Sequence, residues 1–187
     1  MTRPETPVER KARVAKRPDW PRASRAGLRF RTIAETDRQF LSDLYASTRW
    51  DELGPTRWED AQKREFLAQQ FAAQHAHYMQ HYPQAEWLVI EQAERQIGRL
   101  YFVHWGRELR IVDIALIPAA RGMGFGSAVL GDLIAEAAAG GKPVTIHVER
   151  TNPALSLYRR LGFREAEDKG VYLLLERPPA PQVNIAS

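Results

Sequence analysis

Arg121-Gly122-Met123-Gly124-Phe125-Gly126 sets three glycines at alternate positions between an apolar strand and an amphipathic helix. Glycine lets the backbone turn sharply there and leaves its N–H groups uncovered. The preceding segment, Leu109 to Ile117, is rich in β-branched and aliphatic residues and reads as a buried strand. After the glycines, Val129, Leu130, Leu133, Ile134 and Ala137 recur at helical spacing. A strand that hands glycine-softened backbone to a helix N-terminus is an anion site, because free amides and the helix dipole point at the ligand. Arg121 adds a fixed positive charge. The spacing excludes two common phosphate loops. A dinucleotide fingerprint counted from Gly122 lands on Ser127, and counted from Gly124 it fails at once. The chain's Gly141-Lys142 is followed by Pro143, not by the Ser or Thr of a Walker loop.

The run does match R/Q-x-x-G-x-G/A, and a second pattern lies downstream. Asn152-Pro153-Ala154 and Leu157-Tyr158-Arg159-Arg160-Leu161-Gly162-Phe163 follow an apolar strand, Val144 to Val148. Together they resemble the GNAT superfamily of N-acetyltransferases, whose end pattern is N-x-x-A-x-x-L-Y-x-x-x-G-F; here Ala154 stands one place early. The resemblance spans roughly Leu28 to Arg177, with its specific part in 108–163. It implies an α/β (α+β layered) fold with a mixed, mostly antiparallel sheet of six to seven strands flanked by helices.

The resemblance also implies site roles. The loop of Arg121, Gly122, Met123, Gly124, Phe125 and Gly126 would hold the pyrophosphate of acetyl-CoA. Backbone groups of Ile114 and Leu116 would pair with the pantetheine arm, and an N–H near Leu116 would meet the developing oxyanion. Asn152 stands at the pantetheine-bonding position. Tyr158 stands at the family's tyrosine, where a phenol donates to the departing thiolate. Many relatives carry a Glu-Asp pair on the strand before the loop; here that pair is Val112-Asp113, so Asp113 alone remains as base or structural acceptor. His147 and Glu149 share a face of the neighbouring strand and are further candidates, acting through a water. The expected activity is direct acetyl transfer from acetyl-CoA to a primary amine, without a metal. A non-catalytic acyl-CoA-binding module is the alternative, in which Val112 marks lost catalysis.

Composition narrows the class. The 187 residues are enough for one domain with an ordinary core. No apolar run reaches the length of a membrane span, and a cytoplasmic protein is expected. With no cysteine, a cysteinyl acyl-enzyme and a thiolate zinc site are excluded. Residues 1–26 hold eight Lys/Arg and three Asp/Glu, so the net +4 of the chain belongs to this segment. Its prolines and scarce apolar residues suit a disordered basic leader. A nucleic-acid-binding arm is the less favoured reading of it. The domain is expected over 27–178, with a disordered tail over 179–187; a homodimer is left open.

The remaining elements are coarse. A strand is expected at Leu28 to Ile33, then a helix from Asp37 to about Thr48 with Thr36 as N-cap. A long helix from Trp58 to His81 stops before Pro83. Strands at Trp87 to Ile90 and Ile97 to Trp105 flank a turn at Ala93-Glu94. Leu109 and Ile111 lie on one parity of the next strand while Ile114 and Leu116 lie on the other, which predicts a β-bulge or a strand buried on both faces. A short helix from Pro153 and strands near Phe163 and at Val171 to Leu175 complete the fold. The region 37–81 carries Trp50, Asp51, Glu52, Trp58, Phe71, Tyr78 and Tyr82 and is the expected acceptor wall. His75, His77 and His81 spread around the long helix and do not read as metal ligands.

Overall fold

A computed structural model describes residues 20–179. Its elements are α1 (Pro21–Arg25), β1 (Leu28–Thr32), α2 (Arg38–Arg49), α3 (Asp60–His81), β2 (Glu86–Gln92), β3 (Arg95–His104), β4 (Leu109–Leu116), α4 (Phe125–Ala139), β5 (Val144–Glu149), α5 (Leu155–Arg160), β6 (Arg164–Lys169) and β7 (Tyr172–Arg177). The seven strands form one sheet in the order β1-β2-β3-β4-β5-β7-β6. Every neighbouring pair is antiparallel except β4 and β5, which run parallel. That crossover carries α4 from the end of β4 back to the start of β5, as a parallel connection requires.

The two faces of the sheet are covered differently. On one, Leu88, Ile90, Leu100, Phe102, Leu109, Ile111, Ile146 and Val148 pack against α1, α4 and α5 through Ala23, Val129, Leu130, Leu133 and Tyr158. On the other, α2 and α3 close over each other through a smaller cluster of Leu41, Tyr45, Leu67 and Phe71. Each large apolar side chain buried in this way contributes roughly 1.5–3 kcal/mol, so the first face carries most of the stability. The turn at Ala93 and Glu94 has both residues at positive φ, 47° and 64°, the geometry of a tight hairpin between β2 and β3.

Two expectations are corrected here. The fold does not begin at residue 27. Trp20 and Ala23 are buried, and Trp20 stacks edge-on against Phe30 with ring centroids 4.7 Å apart. The five-residue α1 has no capping side chain of its own. Asp132 of α4 supplies one, accepting from the Ala23 amide at 2.8 Å and the Arg22 amide at 3.2 Å. A cap from more than a hundred residues away leaves no local signal. Residues 1–19 and 180–187 lie outside the described residues. Thr36 is likewise not the N-cap of α2. A 3-10 turn, Glu35–Asp37, precedes the helix, and the buried Asp37 carboxylate accepts from the Ala34 amide at 2.7 Å while meeting Arg31 and Gln96.

Candidate active site

The glycine run forms the entrance to α4. Gly122 and Gly124 have φ of +75° and +84°, the left-handed region that disfavours a side chain, and Gly124 is the N-cap. Among the described residues, the amides of Gly122 to Gly126 donate to no backbone carbonyl outside the helix. The first turn of α4 holds no acidic residue, so its dipole is uncompensated. Phe125 is buried in the core beside Val129 and pins the loop, while Met123 is 61 % exposed. Arg121 lies at the surface; its Nε donates to the Leu116 carbonyl at 3.0 Å and its Nη2 reaches Ser47 Oγ at 3.3 Å. The loop therefore presents donors and one cation together.

Beside the loop the sheet opens. β4 and β5 pair only at Leu109–Val144, Arg110–Thr145 and Ile111–Ile146, and then part. The reason lies in β4. Against β3, Ile111 faces Phe102 and Asp113 faces Tyr101, so Val112 is the extra residue of a bulge. This accounts for the parity shift between Ile111 and Ile114. The bulge also settles which backbone groups are free. The Ile117 amide bonds to Ile97 of the β3 side at 2.9 Å. Alternate residues of a strand point their polar groups to opposite edges; Ile114 and Leu116 therefore aim theirs at the gap towards β5, where the Leu116 carbonyl already accepts from Arg121.

Tyr158 of α5 is 3 % exposed and meets Phe163 edge-on at 5.4 Å. Burial first, and the Asp113 charge second, raise its phenol above its ordinary value, so it keeps its proton through neutral pH. Asn152 Oδ1 accepts from the Ala154 amide at 2.8 Å, shaping the turn before α5. Gly126 lies against Leu157, which brings the start of α4 next to α5.

Both carboxylate candidates are paired with arginines. Asp113 is bonded to Arg99, whose side chain is 3 % exposed and whose Nη2 also reaches Gln74 Oε1 at 3.2 Å. Burial opposes the Arg99 charge, but Asp113 offsets it and the guanidinium is held above its ordinary value. Glu149 is gripped by both terminal nitrogens of Arg49, one of them at 3.3 Å, and Arg49 also reaches Glu52 at 3.1 Å. The Tyr172 hydroxyl stands 3.4 Å from Glu149. His147 bonds through Nδ1 to Arg110 Nη1 at 3.0 Å. Arg99, Arg49 and Arg110 were not singled out from sequence. Arg99 carries a signal, a lone arginine inside the apolar run Ile97 to Val103; the other two carry none.

The expected acceptor wall divides. Phe71 is core, whereas Trp58 is 41 % exposed and packs edge-on to Phe66 at 5.2 Å. Burial first, then the Asp113 charge, raises the Tyr78 phenol above its ordinary value. His77 and His81 stack at 3.9 Å, and His75 stacks instead on Phe71 at 5.4 Å. Among the described residues no group of three or more His, Asp or Glu is gathered for a metal ion. No helix there is long and apolar enough to cross a membrane.

Known proteins share this fold. No curated protein matches the chain in sequence. Among solved structures, the PaiA N-acetyltransferase of Thermoplasma acidophilum, in complex with coenzyme A, superposes with a TM-score of 0.61 at 14% identity, covering 81% of this chain and 98% of that one. The ribosomal-protein-S18-alanine N-acetyltransferase of Escherichia coli gives 0.55 at 18%, covering 86% and 99%. A GNAT family acetyltransferase of Elizabethkingia anophelis with acetyl-CoA bound gives 0.54 at 16%, covering 81% and 98%. Identities this low speak for the fold alone. The model of the acetyltransferase (GNAT) family matches residues 46–163, which hold the bulged strand, the glycine loop and Tyr158. The chain therefore belongs to the GNAT family and is an acyltransferase.

Proposed function

We propose that the chain transfers an acetyl group from acetyl-CoA directly to a primary amine bound beside the gap between β4 and β5. The observation that carries this reading is the bulge at Val112, which turns the backbone of Ile114 and Leu116 into an opening that starts at the loop of Gly122 to Gly126. The pyrophosphate rests on the loop amides and Arg121, and the pantetheine arm pairs with Ile114, Leu116 and Asn152. The thioester carbonyl then meets a fixed N–H near Leu116, which stabilises the oxyanion as the amine attacks. The tetrahedral intermediate collapses by expelling the thiolate, and Tyr158 supplies its proton.

The amine must first lose a proton. Glu149 suits that task better than Asp113, because its partner is released more easily. Arg49 is 28 % exposed and retains Glu52 when it lets go, whereas Arg99 at 3 % exposed has no route to solvent. Asp113 then acts through its charge, holding Arg99 in place.

The pairing of both carboxylates favours a second reading, an acyl-CoA-binding module without turnover. Calorimetry with acetyl-CoA followed by a thiol-release assay over an amine panel separates the two. Transfer is expected to release coenzyme A with at least one amine. Binding without release across the panel establishes the module, and no binding defeats both.

A further inference from the structure

His147 is placed one residue past Ile146, the last β5 residue paired with β4, on the same face as Glu149. Its Nδ1 lies 3.0 Å from Arg110 Nη1. A guanidinium can only donate, so Nδ1 must be the bare, accepting nitrogen and the ring proton of the neutral form sits on Nε2. Arg110 has no freedom to offer anything else. Its Nε donates to Thr145 Oγ1 at 2.7 Å, its Nη2 to Glu108 at 2.8 Å, and its guanidinium lies 5.2 Å from the Trp105 ring centre. Burial first, then the charges of Arg110 and Lys169, disfavour a second proton on His147; Glu167 and Glu108 act weakly the other way. The outcome is a neutral imidazole whose Nε2–H is buried and has no partner. An unpartnered buried donor costs stability unless something fills it.

We infer that Arg110 fixes His147 as an Nε2–H donor, and that this donor receives a carbonyl or carboxylate oxygen of the acceptor amine. His147 is then a specificity residue and not a base. The inference rests on the transferase reading for the identity of the bound molecule; the tautomer stands independently of it. Leu174 is the cross-strand neighbour of His147 on β7, and Glu167 and Lys169 stand opposite Leu174 and Tyr172 from the edge strand β6. Those two charged side chains hold each other at 3.3 Å and are 57 % and 44 % exposed, so they are free to swing away. An amine whose neighbouring carbon bears a carbonyl, as in an amino-acid amide or a peptide N-terminus, would place nitrogen and oxygen a few ångströms apart, reaching Glu149 with one and His147 with the other.

Long-range nitrogen–proton NMR of the imidazole in the coenzyme-A-loaded protein tests this. The Nε2–H tautomer is expected, and glycinamide but not ethylamine shifts its resonance. In transfer assays with the best amide-bearing amine, His147→Leu is expected to raise KM on the order of tenfold with little change in kcat. His147→Gln, whose amide nitrogen reaches the place of Nε2, is expected to recover most of that loss. An Nδ1–H or doubly protonated ring at neutral pH overturns the inference, as does an unmoved resonance with glycinamide or a His147→Leu enzyme with unchanged KM. If the wild type binds no acetyl-CoA, the transferase reading fails while the tautomer result still judges the Arg110–His147 assignment.

Discussion

The two faces of the sheet are built from different materials. The face under α4 and α5 is an apolar core capped by backbone donors, and under the proposed function it contributes the amides of Gly122 to Gly126 and the strand edge at Ile114 and Leu116. The face under α2 and α3 has a smaller core and carries charged side chains held in pairs, Asp113 with Arg99 and Glu149 with Arg49. Backbone donors come with the fold and tolerate drift in side chains. Paired charges depend on both partners surviving, and each can be retuned by a single substitution. On the proposed function, the acetyl donor meets the fixed half of the molecule and the acceptor amine the adjustable half.

The largest expected effects come from one group on each face. Tyr158→Phe and Glu149→Gln should each lower kcat by about 10²–10⁴-fold, with the affinity for acetyl-CoA nearly unchanged by calorimetry. A loss of affinity matching the loss of rate would place either residue in binding instead. Arg99→Met should destabilise the protein by about 3–5 kcal/mol in urea titration, because it leaves Asp113 without its cation. Adding Asp113→Asn should restore part of that, which a packing defect alone would not allow.

Asp37 anchors α2 to β1 and β3 and lends the acceptor face its own acid sensitivity. Burial pushes its carboxyl up, but Arg31 and the Ala34 amide outweigh burial and hold it below its ordinary value. The unfolded chain then binds the proton more readily, so this contribution is present above about pH 4. It is lost as pH falls through the folded value. Asp37→Asn should cost about 1–3 kcal/mol at neutral pH and flatten the acid side of the stability curve. An unchanged acid limb would count against this network.

On the donor face, Gly124→Ala forces a side chain into the left-handed region and should cost about 1–2 kcal/mol. Acetyl-CoA affinity should fall about tenfold with it, while the acceptor KM stays put. The smallest effect is expected from Arg49→Gln. This pair is partly exposed, and its loss should change stability by no more than about 1 kcal/mol. A larger change would mean that the acceptor face is as rigid as the donor face, and the contrast between them would fail.

Legibility followed the same division. The glycine loop, the parity shift along β4 and the run from Asn152 to Phe163 were readable because each is local, although only the register against β3 put the bulge at Val112. The start of the fold was not, since α1 is capped by Asp132 across the chain, nor was the entry to α2, where Asp37 is held by Arg31 and Gln96. Asp113 and Glu149 were named from sequence, yet their arginine partners lie 14 and 100 residues away. By itself the sequence determined the layered fold and the glycine turn into α4, because backbone conformation is set by neighbours along the chain. Only the tertiary structure decided that Asp113 pairs with Arg99, Glu149 with Arg49 and His147 with Arg110, because such pairs are set by neighbours in space.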